Sequence, residues 1–269
     1  MSVAIDYTGG AFAANKAQGV GTISETLAGY DLASASYDSV SFSVATQDSG
    51  PLAIFFKPDG TKMYMLGFNG DKVYQYSLST AWDLSTTSYD SVSFSIASQD
   101  GVGVGLAFKD DGTKMYMIGN SSSTVYQYSL STAWDVSSAS YDSVSFSVST
   151  QESNTRGVTF KSDGTKMYVV GDTENVHAYT LSTAWNLSTA SYASELFSVA
   201  TQDSSLRDVR FNGDGTKMFI LGGSNDDVFQ YSLSTAWDVS TASYDSVSFS
   251  VTSQDTTGYT IFFKADGTK

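Results

Sequence analysis

Cysteine is absent from the 269 residues, histidine occurs once and proline twice. Without cysteine there is no disulfide framework, no thiolate metal site and no cysteine nucleophile. The single histidine, His177, excludes a histidine-rich metal centre and leaves little support for a Ser–His–Asp arrangement. No metal and no cofactor are expected. Charge is also scarce, at 16% of residues, and it is lopsided: 14 Lys and Arg stand against 28 Asp and Glu, a net charge of −14. Such an acidic chain lacks the cationic surplus that nucleic-acid backbones or anionic membranes require, so neither is expected as a partner. No apolar run approaches the ~18 residues of a membrane-spanning helix. The opening Met1-Ser2-Val3-Ala4-Ile5-Asp6-Tyr7 shows neither a basic segment nor a long apolar one, so no signal peptide is expected.

What the chain has is aromatic residues, at 14%, and a fixed internal period. Phe108-Lys109-Asp110-Asp111-Gly112-Thr113-Lys114-Met115-Tyr116-Met117-Ile118-Gly119 reads as a short apolar strand, an Asp-Gly turn and a second apolar strand. Copies recur at Phe56–Gly67, Phe160–Gly171 and Phe211–Gly222, and a fifth begins at Phe263 and runs to Lys269. The turn aspartates stand at 59, 111, 163, 214 and 266, so the steps are 52, 52, 51 and 52. Within one period, Val125–Leu130 follows as a third strand, rich in aromatic and β-branched residues. A link containing Ala133-Trp134-Asp135 precedes Val144–Val148, which alternates apolar and polar as a fourth. No window carries a helical period.

Four short antiparallel strands at a period near 50 residues predict the blade of a β-propeller. The hairpin resembles the bacterial YVTN-type propeller repeat, the matching residues being Asp59-Gly60…Met63-Tyr64-Met65 and Asp163-Gly164…Met167-Tyr168-Val169. The repeat here is longer because of the Ala-Trp-Asp link, and in this form is similar to repeats of bacterial and phage proteins. First and fourth strands are each counted five times and the second and third four times. This predicts a single all-β domain over residues 1–269, a five-bladed propeller. Its fifth blade would be a composite of about 258–269 with 1–44, in which Met1–Ile5 and Gly21–Leu27 supply the second and third strands. Closing the ring would leave no sheet edge open. Residues 8–19 have no counterpart in the other units and form an insertion suited to docking a partner.

Candidate sites follow from the same alignment. Lysines such as Lys57, Lys62, Lys109 and Lys114 flank the Asp-Gly turns and should ring one mouth of the channel. Asp48, Asp100, Glu152, Asp203 and Asp255 should ring the other. Trp82-Asp83, Trp134-Asp135, Trp185-Asn186 and Trp237-Asp238 pair an aromatic face with an acceptor, the chemistry of sugar binding, although a Trp in every unit also serves blade packing. The first strands break the repeat at Arg156 and in Arg207-Asp208-Val209-Arg210, a cluster near the axis able to clamp a carboxylate or phosphate. No pair of carboxylates stands out for general acid–base work. From near-identical blades and absent catalytic clusters the expectation is a non-enzymatic structural or adhesion propeller. It would belong to a phage particle or other surface assembly and bind a protein partner or a surface glycan. The alternatives are a multivalent lectin using the Trp-Asp links, and a five-bladed glycoside hydrolase centred on Asp208.

Overall fold

A computed structural model of the protein describes residues 29–269. The first blade consists of β1 (Pro51–Phe56), β2 (Lys62–Gly67), β3 (Lys72–Leu78) and β4 (Thr87–Ser95). The second is β5 (Gly103–Phe108), β6 (Lys114–Gly119), β7 (Thr124–Leu130) and β8 (Ala139–Ser147). The third is β9 (Thr155–Phe160), β10 (Lys166–Gly171), β11 (Asn175–Leu181) and β12 (Ala190–Ser198), and the fourth β13 (Leu206–Phe211), β14 (Lys217–Gly222), β15 (Asp227–Leu233) and β16 (Ala242–Ser250). Each blade is an antiparallel sheet with its strands paired in chain order. The first strands β1, β5, β9 and β13 contact one another in succession and so line the axis. The last strand of each blade alternates exposed and half-buried residues, as an outer edge must.

The hairpin that carries the repeat is built by its own side chains. The Asp111 carboxylate accepts from the Thr113 backbone N–H at 3.0 Å and from the Thr113 hydroxyl at 2.6 Å, and Gly112 takes φ +72°. Glycine is needed there twice over, because a Cβ on Gly112 would lie 2.4 Å from the Trp134 ring. Trp134 itself has φ +65°, and its N–H donates to the Gly112 carbonyl at 3.1 Å. The same contacts join Trp82 to Gly60, Trp185 to Gly164 and Trp237 to Gly215.

The core lies between blades. Ala53, Phe55, Tyr64 and Leu66 of the first blade pack against Leu106, Phe108 and Met115 of the second, and this pattern repeats around the ring. A tyrosine tie crosses each of these junctions, and a glutamine tie crosses the first two. The hydroxyls of Tyr64, Tyr116 and Tyr168 donate to the carbonyls of Trp134, Trp185 and Trp237 in the next unit at 2.6–2.8 Å. Gln75 and Gln127 accept from the buried N–H groups of Val136 and Leu187, again in the next unit, and donate to Asp90 and Asp142 of their own blade. Buried backbone N–H groups are thereby satisfied where one unit meets the next.

The two ends of the described chain meet between the fourth and first blades. Tyr30 N–H donates to Gly267 O at 3.2 Å, Leu32 N–H donates to the Gln230 side chain at 3.1 Å, and Phe262 packs 5.0 Å from Phe55. The count of blades nevertheless corrects the expectation from the repeat: among the described residues there are four four-stranded blades, not five. A strand exists only where a neighbour supplies a ladder. The segment 259–263 has no laddered neighbour among the described residues; instead, the Ile261 backbone bonds the side chains of Asp208 and Arg210. Met1–Ile5 and Gly21–Leu27, the residues expected to complete a fifth blade, lie outside the described residues, as does the 8–19 insertion. Among the described residues no helix is long and apolar enough to cross a membrane.

Candidate functional site at the axial mouth

Every first strand carries a β-bulge at the same place. Pro51 pairs with Gly67 and Ala53 with Leu66, so Leu52 is left out of the ladder. Val104, Arg156 and Arg207 are skipped in the same way in β5, β9 and β13. A bulge kinks the strand and re-aims the extra side chain, and bulges recur beside functional sites for that reason. Here the four bulged residues converge with Tyr259, which stands at the corresponding position of the next unit, on a cavity of about 210 Å³. Phe68 and Val102 complete its wall. One half of the cavity is apolar, formed by Leu52, Val104, Val102 and Phe68; the other is cationic and aromatic, formed by Arg156, Arg207 and Tyr259.

The two guanidinium groups are in different states. Arg156 is forked onto Asp172, with Nε to Oδ1 at 3.2 Å and Nη2 to Oδ2 at 3.1 Å. Arg207 lies over the Tyr259 ring, 5.2 Å from its centroid, and makes no ion pair among the described residues. Its charge reaches Asp226, whose carboxyl is pushed up by burial and by Asp255. The acids expected around this mouth are not free to bind cations. Asp48 accepts from the N–H groups of Gly50 and Gly70, Asp100 from Val102 and Ser122, Glu152 from Asn154 and Thr173, and Asp203 from Ser205 and Asn225. They pin the turn between second and third strands to the start of the first strand. No cluster of metal ligands occurs among the described residues.

Asp208 and Arg210 are 2% and 7% exposed and are spent on each other. Arg210 donates to Asp208 Oδ2 at 3.0 Å and to Ile261 O at 2.9 Å, while Asp208 Oδ2 also accepts from the Thr260 hydroxyl at 2.7 Å and Ile261 N–H at 3.1 Å. This cluster ties β13 to residues 259–263, and so the structure separates Arg207, at the mouth, from Asp208 and Arg210, inside. The Trp-Asp pairs lie elsewhere, over the hairpins. Asp83, Asp135, Asn186 and Asp238 each cap a single 3₁₀ turn by accepting from the N–H two residues on. The hairpin lysines are paired as well: Lys57 with Asp59, Lys62 with Asp90, Lys109 with Asp111 and Lys114 with Asp142.

His177 stands where two other units have Tyr74 and Tyr126. It is buried, with Nε2 3.2 Å from the Thr173 hydroxyl, which in turn donates to Glu152. Burial holds its pKa below the usual histidine value, against the pull of Glu152. A larger cavity of about 360 Å³ lies beside Trp82, Phe262 and Lys269. At the junctions of the first with the second blade and of the second with the third, a tyrosine of the preceding blade sits against the equivalent tryptophan.

Reading the sequence missed Tyr259 and the bulges. Their signal was present, because positions 52, 104, 156, 207 and 259 are in register with the repeat yet read Leu, Val, Arg, Arg and Tyr, while the phenylalanine four residues on is kept at 56, 108, 160, 211 and 263.

No known family model matches the chain, and no curated protein matches it by sequence. Solved structures do match in fold. A proposed 6-phosphogluconolactonase from Bacteroides uniformis superposes with TM-score 0.51 at 13% identity, over 81% of this chain and 60% of that one. A second, from Bacteroides fragilis, gives 0.52 at 12%, over 75% and 55%. A protein from Lactobacillus plantarum gives 0.51 at 16%, over 72% and 53%. This chain thus spans a little over half the length of the solved structures it matches. At such identities the likeness is one of fold, and the fold is a β-propeller.

The expectation of a non-enzymatic phage or adhesion component is corrected by this comparison. Proteins described as 6-phosphogluconolactonases share the scaffold, so the scaffold gives no ground for a non-enzymatic reading, and neither of these two is described as a virion or adhesion protein. Uniform blades are no sign of inactivity, because the uniformity lies where blades pack on one another. The units differ at the mouth, and function is carried by such a site rather than by the scaffold.

Proposed function

We propose that this propeller binds a small organic anion, a carboxylate or phosphate ester, in the axial mouth between Arg207, Tyr259 and the Leu52–Val104 wall. The observation that carries this reading is the convergence of five bulge-register side chains on one cavity, with a guanidinium among them that has no carboxylate partner among the described residues. A concave, mostly apolar pocket with a few convergent polar groups is the usual form of a small-molecule site. The same alignment of units keeps the resemblance to the YVTN-type repeat as part of the reading. Two fold neighbours are described as 6-phosphogluconolactonases, so 6-phosphogluconate and its lactone belong among the compounds to be tried.

The test is titration calorimetry with inorganic phosphate, 6-phosphogluconate and a series of aliphatic and aromatic carboxylates, with lactone hydrolysis followed in parallel. At least one anion is expected to bind, and Arg207→Ala is expected to weaken it tenfold or more while leaving the melting temperature within a few degrees. An Arg207→Ala variant that binds as well as the parent, or a parent that binds none of the series, would refute the reading.

A further inference from the structure

In each blade the bulged residue has a counterpart that opens the turn after the second strand; of these counterparts Phe68 lines the cavity, and Asp172 and Gly223 lie against the arginine of their own blade. In chain order these pairs are Leu52 with Phe68, Val104 with Asn120, Arg156 with Asp172, and Arg207 with Gly223. The third pair is closed on itself, because the Asp172 carboxylate fills the Arg156 fork. The fourth has the arginine without the acid. Gly223 leaves the space that Arg207 crosses, since a Cβ there would lie 2.3 Å from Arg207 Nε. Arg207 is therefore the one mouth guanidinium with its fork unfilled by a described carboxylate, and it has an aromatic face under it.

Resting on the reading of the mouth as an anion site, we propose that its ligand is a monocarboxylate with a compact apolar body rather than a phosphorylated sugar acid. One unfilled fork matches one carboxylate in bidentate geometry. A second negative charge would meet Asp172 and Asp226 within a chain of net charge −14. The opposite wall, Leu52, Val102, Val104 and Phe68, has no side-chain donor or acceptor for sugar hydroxyls, which would be desolvated without compensation. Phe68 is 45% exposed, one of three large apolar side chains left so among the described residues, and an apolar ligand body would cover it. The size agrees: a cavity of about 150 Å³ holds a benzene ring, so about 210 Å³ accommodates a ring with a short carboxylate arm. The Tyr259 hydroxyl, which has no partner among the described residues, is available to donate to the second carboxylate lone pair.

Phenylacetate is the probe, with 6-phosphogluconate and inorganic phosphate as the competing chemistries, all measured by calorimetry on the full chain. The parent is expected to bind phenylacetate and to bind 6-phosphogluconate at least tenfold more weakly. Gly223→Asp supplies the fourth blade with the acid of the third; its Cβ displaces the Arg207 side chain and its carboxylate fills the fork, so phenylacetate is expected to bind tenfold or more weakly although Arg207 is still present. Asp172→Ala releases the second guanidinium and is expected to improve 6-phosphogluconate relative to phenylacetate. If 6-phosphogluconate binds the parent and phenylacetate does not, the ligand class is wrong while the anion site stands. If neither these nor inorganic phosphate bind, the site itself is wrong. Unchanged phenylacetate binding in a folded Gly223→Asp protein overturns the assignment of Arg207 as the anchor.

Discussion

Replacing Gln127 by Ala tests whether the blades are held together by the polar ties at their junctions. Gln127 accepts from the buried Leu187 N–H at 3.0 Å and donates to Asp142 at 2.8 Å, and Asp142 also receives Lys114 at 3.1 Å. Burial alone would push the Asp142 carboxyl up, but the hydrogen bonds from Gln127, Ser129 and Lys114 and the lysine charge hold it below the usual range. Removing the glutamine leaves a buried donor unsatisfied, which costs about 1–3 kcal/mol, and strips one donor from the carboxylate, for a total near ~2–4 kcal/mol. For a chain of this size that is a fall of roughly 4–16 °C in melting temperature. Asp142→Ala should be costly too, but the double variant should fall short of the sum by about 1 kcal/mol, since the Gln–Asp bond can be lost only once. The third blade shows the outcome already reached: Ala178 and Ala193 stand at the positions of Gln127 and Asp142, and Lys166 turns instead to Glu195 at 2.7 Å. Calorimetric melting of the two single variants and the double one decides the matter. Strict additivity, or a Gln127→Ala protein as stable as the parent, would refute the idea that this pair bridges the junction.

Gly112→Ala is expected to cost about 2 kcal/mol or more in urea unfolding, since it combines positive φ with a Cβ in the Trp134 ring. Gly101→Ala, where nothing lies within 4 Å, should be nearly silent. His177 has its folded pKa below the ordinary 6.5, so the unfolded chain binds the proton more readily and stability should fall as pH drops below about 6.5. His177→Phe, which places in the third blade what Phe229 provides in the fourth, should remove that step from a plot of melting temperature against pH. Asp59, Asp111 and Asp163 are each held down at about 2: burial pushes them up, but the paired lysine and the following threonine outweigh it. Their contribution is complete above the unfolded value of 3.8 and is lost as pH falls toward 2, so acid unfolding should begin in that window and start at higher pH in 1 M salt.

Much of the fold was legible because the repeat states it several times. The Asp-Gly-Thr-Lys turn, the apolar second strand and the Tyr-rich third strand each have a local physical cause, and four copies agree. The blade number was not legible, since it depends on whether a given extended segment finds a laddered neighbour. Residues 259–263 carry the sequence of a first strand, yet they are held by Asp208 and Arg210 side chains. The Trp-Asp motif was legible as a feature but not as a role. Only coordinates show that Trp134 lies on Gly112 and that the Asp135 carboxylate caps a turn. The Gln–Asp ties could have been found, because Gln75, Gln127 and Gln230 accompany Asp90, Asp142 and Asp245 while Ala178 accompanies Ala193.

The same logic explains why the mouth is where the units disagree. The core side chains of a blade face a neighbouring blade of nearly identical sequence, so a change on one side must be matched on the other. The bulged residue escapes that constraint because it is outside the ladder and faces the axis. Position 52 and its equivalents can therefore become Leu, Val, Arg, Arg and Tyr without disturbing the packing of Tyr64, Tyr116 or Tyr168 on the next unit. The interior equivalents, Ala53, Gly105, Gly157, Asp208 and Thr260, are more restricted: a Cβ on Gly157 would lie 2.8 Å from Arg207 O. At that level the fourth blade admits a charge only as a satisfied Asp208–Arg210 pair, whereas one residue earlier it presents Arg207 with no acid partner among the described residues. Adjacent positions of one strand thus differ in setting: Asp208 ties β13 to residues 259–263, and Arg207 lines the axial cavity.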